Sequence, residues 1–255
     1  MVTSNCKVLV LGRESLSTKI IIHFLVQKYD VTWIAEQRDD KFLIIKKRIK
    51  NIGYFKVISQ LLFFVLRKFI YLLSKKRLNE LTYFLKGNRI KPVEIVSNVN
   101  KYWEYLDVKQ LKYSIIVISG TRIINEDFLT ALGDTPMINI HTGIVPKYRG
   151  VHGGYWALAS RDKKNFGVTI HCIDKGIDTG RVIKKIFLEI SDKDNYCSYP
   201  ILQVVAAAKA LINEIPRIIA NDFCSFTNNK GETTKLWTHP TIWQYIYNYM
   251  TRSVK

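Results

Sequence analysis

The sequence predicts an α/β protein with a mostly parallel sheet flanked by helices, and three observations carry that prediction. Lys7–Gly12 (KVLVLG) reads as a buried strand, a helical pattern follows over about 15–29, and residues 31–35 read as a second strand. Strand, helix, strand at this spacing is a βαβ unit, which implies parallel pairing. A second apolar run, YSIIVIS at 113–119, ends at Gly120 as a buried strand does before a turn. Finally, 255 residues that are 47% hydrophobic, with charge interspersed, suffice for one well-buried domain.

Taken in order, the turn Gly12-Arg13-Glu14-Ser15 is too poor in glycine for a dinucleotide or Walker loop. It reads as an ordinary strand-helix turn, or as a helix N-terminus that holds a phosphate. Residues 51–73, NIGYFKVISQLLFFVLRKFIYLL, predict a long apolar helix. Lys56, Gln60, Arg67-Lys68 and Ser74 recur near a spacing of 3.6 residues, predicting a narrow polar stripe on it. Its longest charge-free run, 57–66, is far short of the ~20 residues of a bilayer span. A short helix over 78–85, a short strand over 92–97 and a helix over 102–111 follow. Beyond the 113–119 strand, Asn125 is a plausible N-cap for a helix over 126–132. The remaining elements are a strand at 137–141, a short helix at 154–160, strands at 167–173 and 182–190, and a long helix at 195–221 with Pro216 as a kink or break. In the Trp- and Tyr-rich tail, Pro240 starts a final short helix.

The net charge of +18 is unevenly spread. Between Lys41 and Lys91 stand fourteen basic residues and the single acid Glu80, a net of +13, so basicity is a local device here. Basic clusters at 46–50 and 75–77 flank the apolar helix, which suits a helix lying in the interface of an anionic membrane. The same pattern fits a helix buried against the core or against a second copy of the chain. No pattern of a nucleic-acid module accompanies it. The first residues, MVTSNCKVLVLG, lead straight into a strand with neither a charged leader nor a cleavage site, so secretion is not expected. Cys6, Cys172, Cys197 and Cys224 are scattered without a C-x-x-C pair, as for reduced thiols in the cytoplasm. No histidine and carboxylate spacing suggests zinc, and no metal is expected.

The candidate chemistry concentrates in residues 137–183. Asn139 and His141 alternate with Ile140, so in a strand they share one face while Ile140 turns to the other. A Gly143-Ile144-Val145-Pro146 turn and Tyr148-Arg149-Gly150 suit a chain leaving a strand and folding over a pocket. Asp174-Lys175-Gly176-Ile177-Asp178-Thr179-Gly180 is a glycine-flanked carboxylate loop after the 167–173 strand. Asn, His and Asp delivered by strand ends and loops are the parts needed to bind an oxyanion and move a proton.

Asn-x-His, then Pro-x-Tyr-Arg-Gly, Gly-Val-Thr-x-His and Ile-Asp-Thr-Gly, in this order, resemble the 10-formyltetrahydrofolate-dependent formyltransferases. The resemblance covers residues 110–190 well and 5–35 loosely, and is strongest toward sugar N-formyltransferases of polysaccharide biosynthesis. It implies a Rossmann-like sheet with the formyltransferase fold. Residues 1–190 would form the catalytic core, including a basic hydrophobic helical insertion at 41–91. Residues 191–255 would be a C-terminal helical extension packed on it. The resemblance also implies that 10-formyltetrahydrofolate is the donor, and that Asn139, His141 and Asp178 are catalytic. Asn139 and protonated His141 would offer donors to the carbonyl oxygen, and Asp178 would hold His141 cationic and relay protons. Folate contacts would fall on Arg122, Ile123 and Ile124 after the 113–119 strand, and on Ile173, Asp174, Gly176 and Ile177. Acceptor contacts would fall on Gly12, Arg13, Arg149 and His152. His171 would line the folate side, while His23 and His239 look structural. Many relatives have Pro-Ser after the motif histidine where this chain has Thr142-Gly143, a departure that touches the acceptor side.

The acceptor expected from this resemblance is a primary amine, reached by elimination. Methionyl-tRNA formyltransferases have a sizeable C-terminal domain, whereas only 65 residues follow Ile190. The purine enzyme has a glycine-rich phosphate turn that 12–15 does not supply. A formyltetrahydrofolate hydrolase has an N-terminal regulatory domain. An amino sugar, nucleotide- or lipid-linked, remains. The alternative is a non-catalytic membrane-associated folate-binding or assembly protein of the same fold.

Overall fold

The computed structural model describes residues 6–102, 113–222 and 235–255. A seven-stranded sheet has the order β3-β2-β1-β4-β5-β7-β8, built from β1 (Lys7–Gly12), β2 (Asp30–Glu36), β3 (Glu94–Val96), β4 (Ile115–Ser119), β5 (Met137–His141), β7 (Gly167–Cys172) and β8 (Val182–Phe187). From β3 to β5 every pairing is parallel, and β7 and β8 then add antiparallel. The sheet is mixed but mostly parallel, as its apolar central strands require. A small parallel ribbon joins β6 (Arg149–Gly150) to β9 (Leu236–Trp237).

Both faces of the sheet are covered. Val8 and Val10 of β1 point to one side, where α1 (Leu16–Leu25) and α7 (Tyr199–Ile219) pack. Leu9 and Leu11 point to the other, where Phe128 of α5 (Glu126–Ala131) and Val99 of α4 (Val99–Tyr102) lie. Period-two alternation with apolar residues on both sides is the mark of a central strand. Ser15 caps α1 by accepting from the Thr18 N–H at 3.2 Å, and Asn125 caps α5 by accepting from the Phe128 N–H at 3.0 Å. Pro216 lies inside α7, which runs on to Ile219. The last helix, α8 (Ile242–Arg252), starts two residues past the expected Pro240 and is capped by Thr241 in a reciprocal capping box with Gln244. The expected helix over 102–111 lies almost wholly outside the described residues, as does Cys224; Cys6, Cys172 and Cys197 are free thiols.

The basic apolar segment departs from its sequence reading in two respects. It forms two helices, α2 (Lys41–Ile52) and α3 (Tyr54–Leu81), broken at Gly53, whose φ of 84° is open to glycine and strained for other residues. A 3₁₀ turn, Tyr83–Leu85, ends it in place of a separate helix over 78–85. The expected polar stripe is also inverted in part. Gln60 and Ser74 are buried, together with Val57, Phe63 and Leu78, while Phe55 and Leu73 are 88% and 85% exposed. Specific partners draw the polar groups inward. Gln60 accepts from Arg48 at 2.5 Å and donates to the His239 carbonyl at 2.5 Å, and Ser74 donates to Asn195 Oδ1 at 2.9 Å. Arg77 grips the buried Asp194 through two bonds of 2.8 and 3.2 Å. A buried polar group with its partners in place costs little, so the narrow inner face is set by hydrogen bonds and by Phe63. Phe63 enters an aromatic cluster with Tyr155, Tyr196 and Tyr245 that joins α3, α8 and α6 (Gly153–Ala159).

Candidate active site

Strands β5 and β7 run antiparallel with Asn139 opposite His171 and His141 opposite Thr169. Alternation puts Asn139 and His141 on one face, and the register brings His171 beside them. Asn139 Nδ2 and His171 Nε2 are 3.3 Å apart. His171 Nδ1 lies 2.8 Å from the Cys172 carbonyl, an acceptor only, so Nδ1 donates there and Nε2 accepts from the Asn139 amide.

Asp178 closes the group. It sits in the 174–180 loop with φ 52°, a left-handed position that Asp tolerates better than most residues. Asp174 Oδ1 accepts from the Gly176 N–H at 3.1 Å and from Thr179 Oγ1 at 2.6 Å, fixing that loop. The Asp178 carboxylate lies 3.3 Å from His141 Nδ1 and 3.6 Å from His171 Nε2, and accepts from the Gly150 N–H at 2.8 Å. Burial alone would raise its pKa. The hydrogen bond from His141, the close approach of the His171 ring, the charge on His141 and the Gly150 N–H together outweigh that and hold the carboxyl well below the usual range. Asp178 is therefore ionised between two imidazoles.

His141 is buried with both ring nitrogens engaged. Nε2 donates to the Tyr148 carbonyl at 2.7 Å, and Nδ1 faces Asp178. Each ring nitrogen faces an oxygen acceptor. The N–H groups of His141 thus point at protein oxygens, and the expected N–H donation from His141 to a bound carbonyl is not what this conformation offers. Asn139 is the free amide of the set, with one N–H on His171.

The 142–150 turn is built to hold that ring. Thr169 Oγ1 donates to the Gly143 carbonyl at 2.7 Å and accepts from the Val145 N–H at 3.2 Å. A Cβ on Gly143 would lie 2.5 Å from the Tyr148 carbonyl oxygen and 2.7 Å from His141 Nε2, so only glycine lets the turn close over the imidazole. Tyr148 itself donates its hydroxyl to Asp162 at 2.8 Å. Burial opposes ionisation of Asp162, but bonds from Lys147, Asn165 and Tyr148 bring its pKa down to about 2.

These side chains line a cavity of about 470 Å³. Its walls include all seven positions expected to contact folate, Arg122, Ile123, Ile124, Ile173, Asp174, Gly176 and Ile177, with Ile118 and Gly120 beside them. Apolar walls with a few convergent polar groups are the usual make-up of a small-molecule site. Arg122 is constrained: its N–H and Nε both bond Glu36, at 2.8 and 2.5 Å, and Nη2 bonds Asp39 at 2.8 Å. That leaves Ile123 and Ile124 to supply the loop's surface there.

Of the four positions expected on the acceptor side, His152 lines the cavity and three do not. Gly12 is packed under Thr18 and Ser119, where a Cβ would meet Thr18 Cγ2 at 2.8 Å. Arg13 turns to the buried Glu36, with Nε 3.7 Å from its carboxylate. Arg149 donates to the Ile177 carbonyl at 2.8 Å and staples the 142–150 turn to the carboxylate loop. His152 holds a left-handed φ of 59° at the start of α6 and stacks on Tyr196 and His239. Burial, with the charges of His239 and Arg67, lowers its pKa well below the ordinary value and keeps it neutral. Sequence reasoning missed the Tyr148 carbonyl, Thr169 and the contact of Gly143 with Gly153. The Gly153-Gly154 pair was the one visible signal of close backbone approach. Among the described residues, no group of three or more His, Cys, Asp and Glu side chains stands placed to hold a metal ion.

Comparison with known proteins finds similarity over the part of the chain that holds this cavity. The family model described as Formyl transferase matches residues 94–201, which span the cavity's strands and loops. Methionyl-tRNA formyltransferase of Caldanaerobacter subterraneus subsp. tengcongensis is 32% identical over 111 residues, 43% of this chain and 35% of that protein. The chain spans less than half the length of the curated relatives it matches. Among solved structures, an N-formyltransferase from Helicobacter canadensis, in complex with folinic acid and dTDP-3-aminofucose, superposes with a TM-score of 0.54 at 18% identity. It covers 91% of this chain and 70% of that one. The formyltransferase PseJ from Anoxybacillus kamchatkensis, in complex with UDP-4,6-dideoxy-4-formamido-L-AltNAc and tetrahydrofolate, gives 0.51 at 18% identity. It covers 96% and 92% of the two chains. At these identities the superpositions speak for the fold. Over residues 94–201 this chain is therefore similar to the formyltransferases, and its sheet has the fold of these neighbours.

Proposed function

We propose that this chain transfers a formyl group from 10-formyltetrahydrofolate to the primary amine of a nucleotide-linked amino sugar, in the cytoplasm. The observation that supports it most directly is Asp178 lying between His141 and His171, with Asn139 alongside, in one cavity walled by isoleucines. The residues present fit a folate donor. Ile123, Ile124, Ile173 and Ile177 offer an apolar slot for a flat ring, and the bound donor supplies an activated formyl carbon. Transfer forms one C–N bond and breaks another, so negative charge gathers on the carbonyl oxygen, the amine sheds a proton and the departing nitrogen gains one. Asn139 supplies an amide N–H to that oxygen, a contact worth about 3–4 kcal/mol in comparable sites. His141, fixed by Tyr148 and Asp178, adds positive charge beside it. Asp178, ionised and turned to both imidazoles, receives and returns the proton.

The amino-sugar acceptor rests on two structural neighbours whose own ligands are nucleotide sugars. A second reading, an aminoacyl-tRNA acceptor, is favoured by the curated relatives, most of which are methionyl-tRNA formyltransferases. One assay separates them. Formyl-folate turnover is measured with a panel of nucleotide amino sugars and with charged initiator tRNA, and His141→Ala is the control. Turnover with an amino sugar, abolished in the variant, is expected. A His141→Ala protein as active as the parent removes the mechanism, and turnover with tRNA alone removes the sugar. Folate binding with no amine formylated would point to a non-catalytic relative.

A further inference from the structure

Helix α3 presents its apolar side to solvent. Phe55, Ile58, Leu62, Val65, Phe69 and Leu73 follow each other at spacings of three and four, and all are exposed. That spacing sets them along one side of the helix for about five turns. Lys56, Arg67 and Lys68 fall off this stripe by the same spacing. By length and composition α3 is long and apolar enough to cross a bilayer. It is nevertheless tied lengthwise to the protein by Gln60, Ser74 and the Arg77–Asp194 pair, and by Phe63 in the aromatic cluster. An ordinary surface helix has the reverse arrangement, polar side out.

The charges around the stripe say what covers it. Lys46, Lys47 and Lys50 are exposed on α2 at one end, and Lys75 and Lys76 at the other. The only acid between residues 41 and 91, Glu80, is paired with Arg77 at 3.4 Å. A second copy seated on this face would bring the same cationic ends and the same net +18 with it. An apolar stripe with a cationic rim and no free carboxylate instead complements acyl chains beneath anionic headgroups. We propose that α2 and α3 dock this protein on an anionic lipid bilayer, with the α3 stripe lying in the interface and the lysines of both helices at headgroup level. The helix backs onto the cavity: Phe63 packs on Tyr196 and Phe64 on His239, and both of those rings pack on His152, which lines the cavity. Docking therefore holds the His152 end of the cavity toward the lipid.

The proposal is tested with the full chain, by co-sedimentation with vesicles of phosphatidylcholine alone and of phosphatidylcholine doped with phosphatidylglycerol. Binding to the doped vesicles, little to the neutral ones, and loss with rising salt are expected. Each exposed lysine contributes about fivefold in partitioning, so Lys46→Gln, Lys47→Gln and Lys50→Gln combined should weaken binding about a hundredfold. Leu62→Ser, Phe69→Ser and Leu73→Ser combined should weaken it about a thousandfold, at about tenfold for each residue. Equal binding to both vesicle types, no binding to either, or full binding by both variants overturns the proposal. So does a dimer of the parent that the stripe variant converts to monomer without any vesicle binding, which would assign the face to a second copy. The assay needs no turnover, so its outcome is independent of the proposed reaction.

Discussion

Replacing Asp178 by Asn isolates the charge at the centre of the site, because little else changes. Asn tolerates the left-handed backbone at 178 and still offers an oxygen to the Gly150 N–H. What is lost is the hold of a carboxylate on the His141 ring, whose Nδ1 is 3.3 Å away. For two full charges at that distance, with an effective dielectric constant of about 20, the attraction is about 5 kcal/mol. Removing the carboxylate also removes its own desolvation cost, but leaves His141 buried without a counter-charge. Breaking such a buried pair costs about 3–5 kcal/mol. We expect Asp178→Asn to unfold about 3 kcal/mol more easily at pH 7 and to lose about 10²–10⁴-fold in formyl transfer. The pH dependence carries a sign. Because the folded-state pKa of Asp178 is depressed, its stabilisation is complete above the unfolded value of about 3.9 and is lost as pH falls through the folded value. The stability gap between parent and variant, measured by urea denaturation across pH, should therefore be full at neutral pH and shrink only in strong acid. A variant equal to the parent in both stability and turnover at pH 7 would refute the assignment of an ionised Asp178 to this site.

Two further outcomes follow from the same packing. Gly143→Ala places a methyl 2.7 Å from His141 Nε2 and 2.5 Å from the Tyr148 carbonyl, so denaturation should show a loss of about 2–4 kcal/mol and turnover should fall with it. His239 is half-buried, with Nδ1 lacking a hydrogen-bond partner, and desolvation followed by the charges of Arg48 and Arg67 brings its pKa down to about 4. The unfolded chain then binds more protons than the native one between about pH 6.5 and 4, so stability is lost as pH is lowered through that window, by roughly 3 kcal/mol from this group. His239→Phe should flatten the pH dependence of the urea midpoint over the same range, and an unchanged slope would sink the point.

Local order made much of the architecture readable. The unbroken apolar runs at 7–12 and 115–119 could be satisfied only by strands buried on both faces, and the helix between the first two strands made their pairing parallel. Asn139 and His141 could be placed side by side because strand alternation depends on nothing outside the strand. The rest depended on partners remote in sequence. Asp178 meets His141 because the 174–180 loop folds back onto Gly150, and Gly12 and Arg13 leave the cavity because Glu36, at the end of β2, takes Arg13.

The insertion at 41–91 draws the line most clearly. Its composition, long apolar helix and cationic flanks are properties of the sequence, since helical periodicity and charge are written residue by residue. Which side of that helix faces the protein was decided by Asn195, Asp194 and the His239 carbonyl, more than a hundred residues away. Those remote partners take Gln60, Ser74 and Arg77 inward, and Leu62, Phe69 and Leu73 on the opposite side are left facing out.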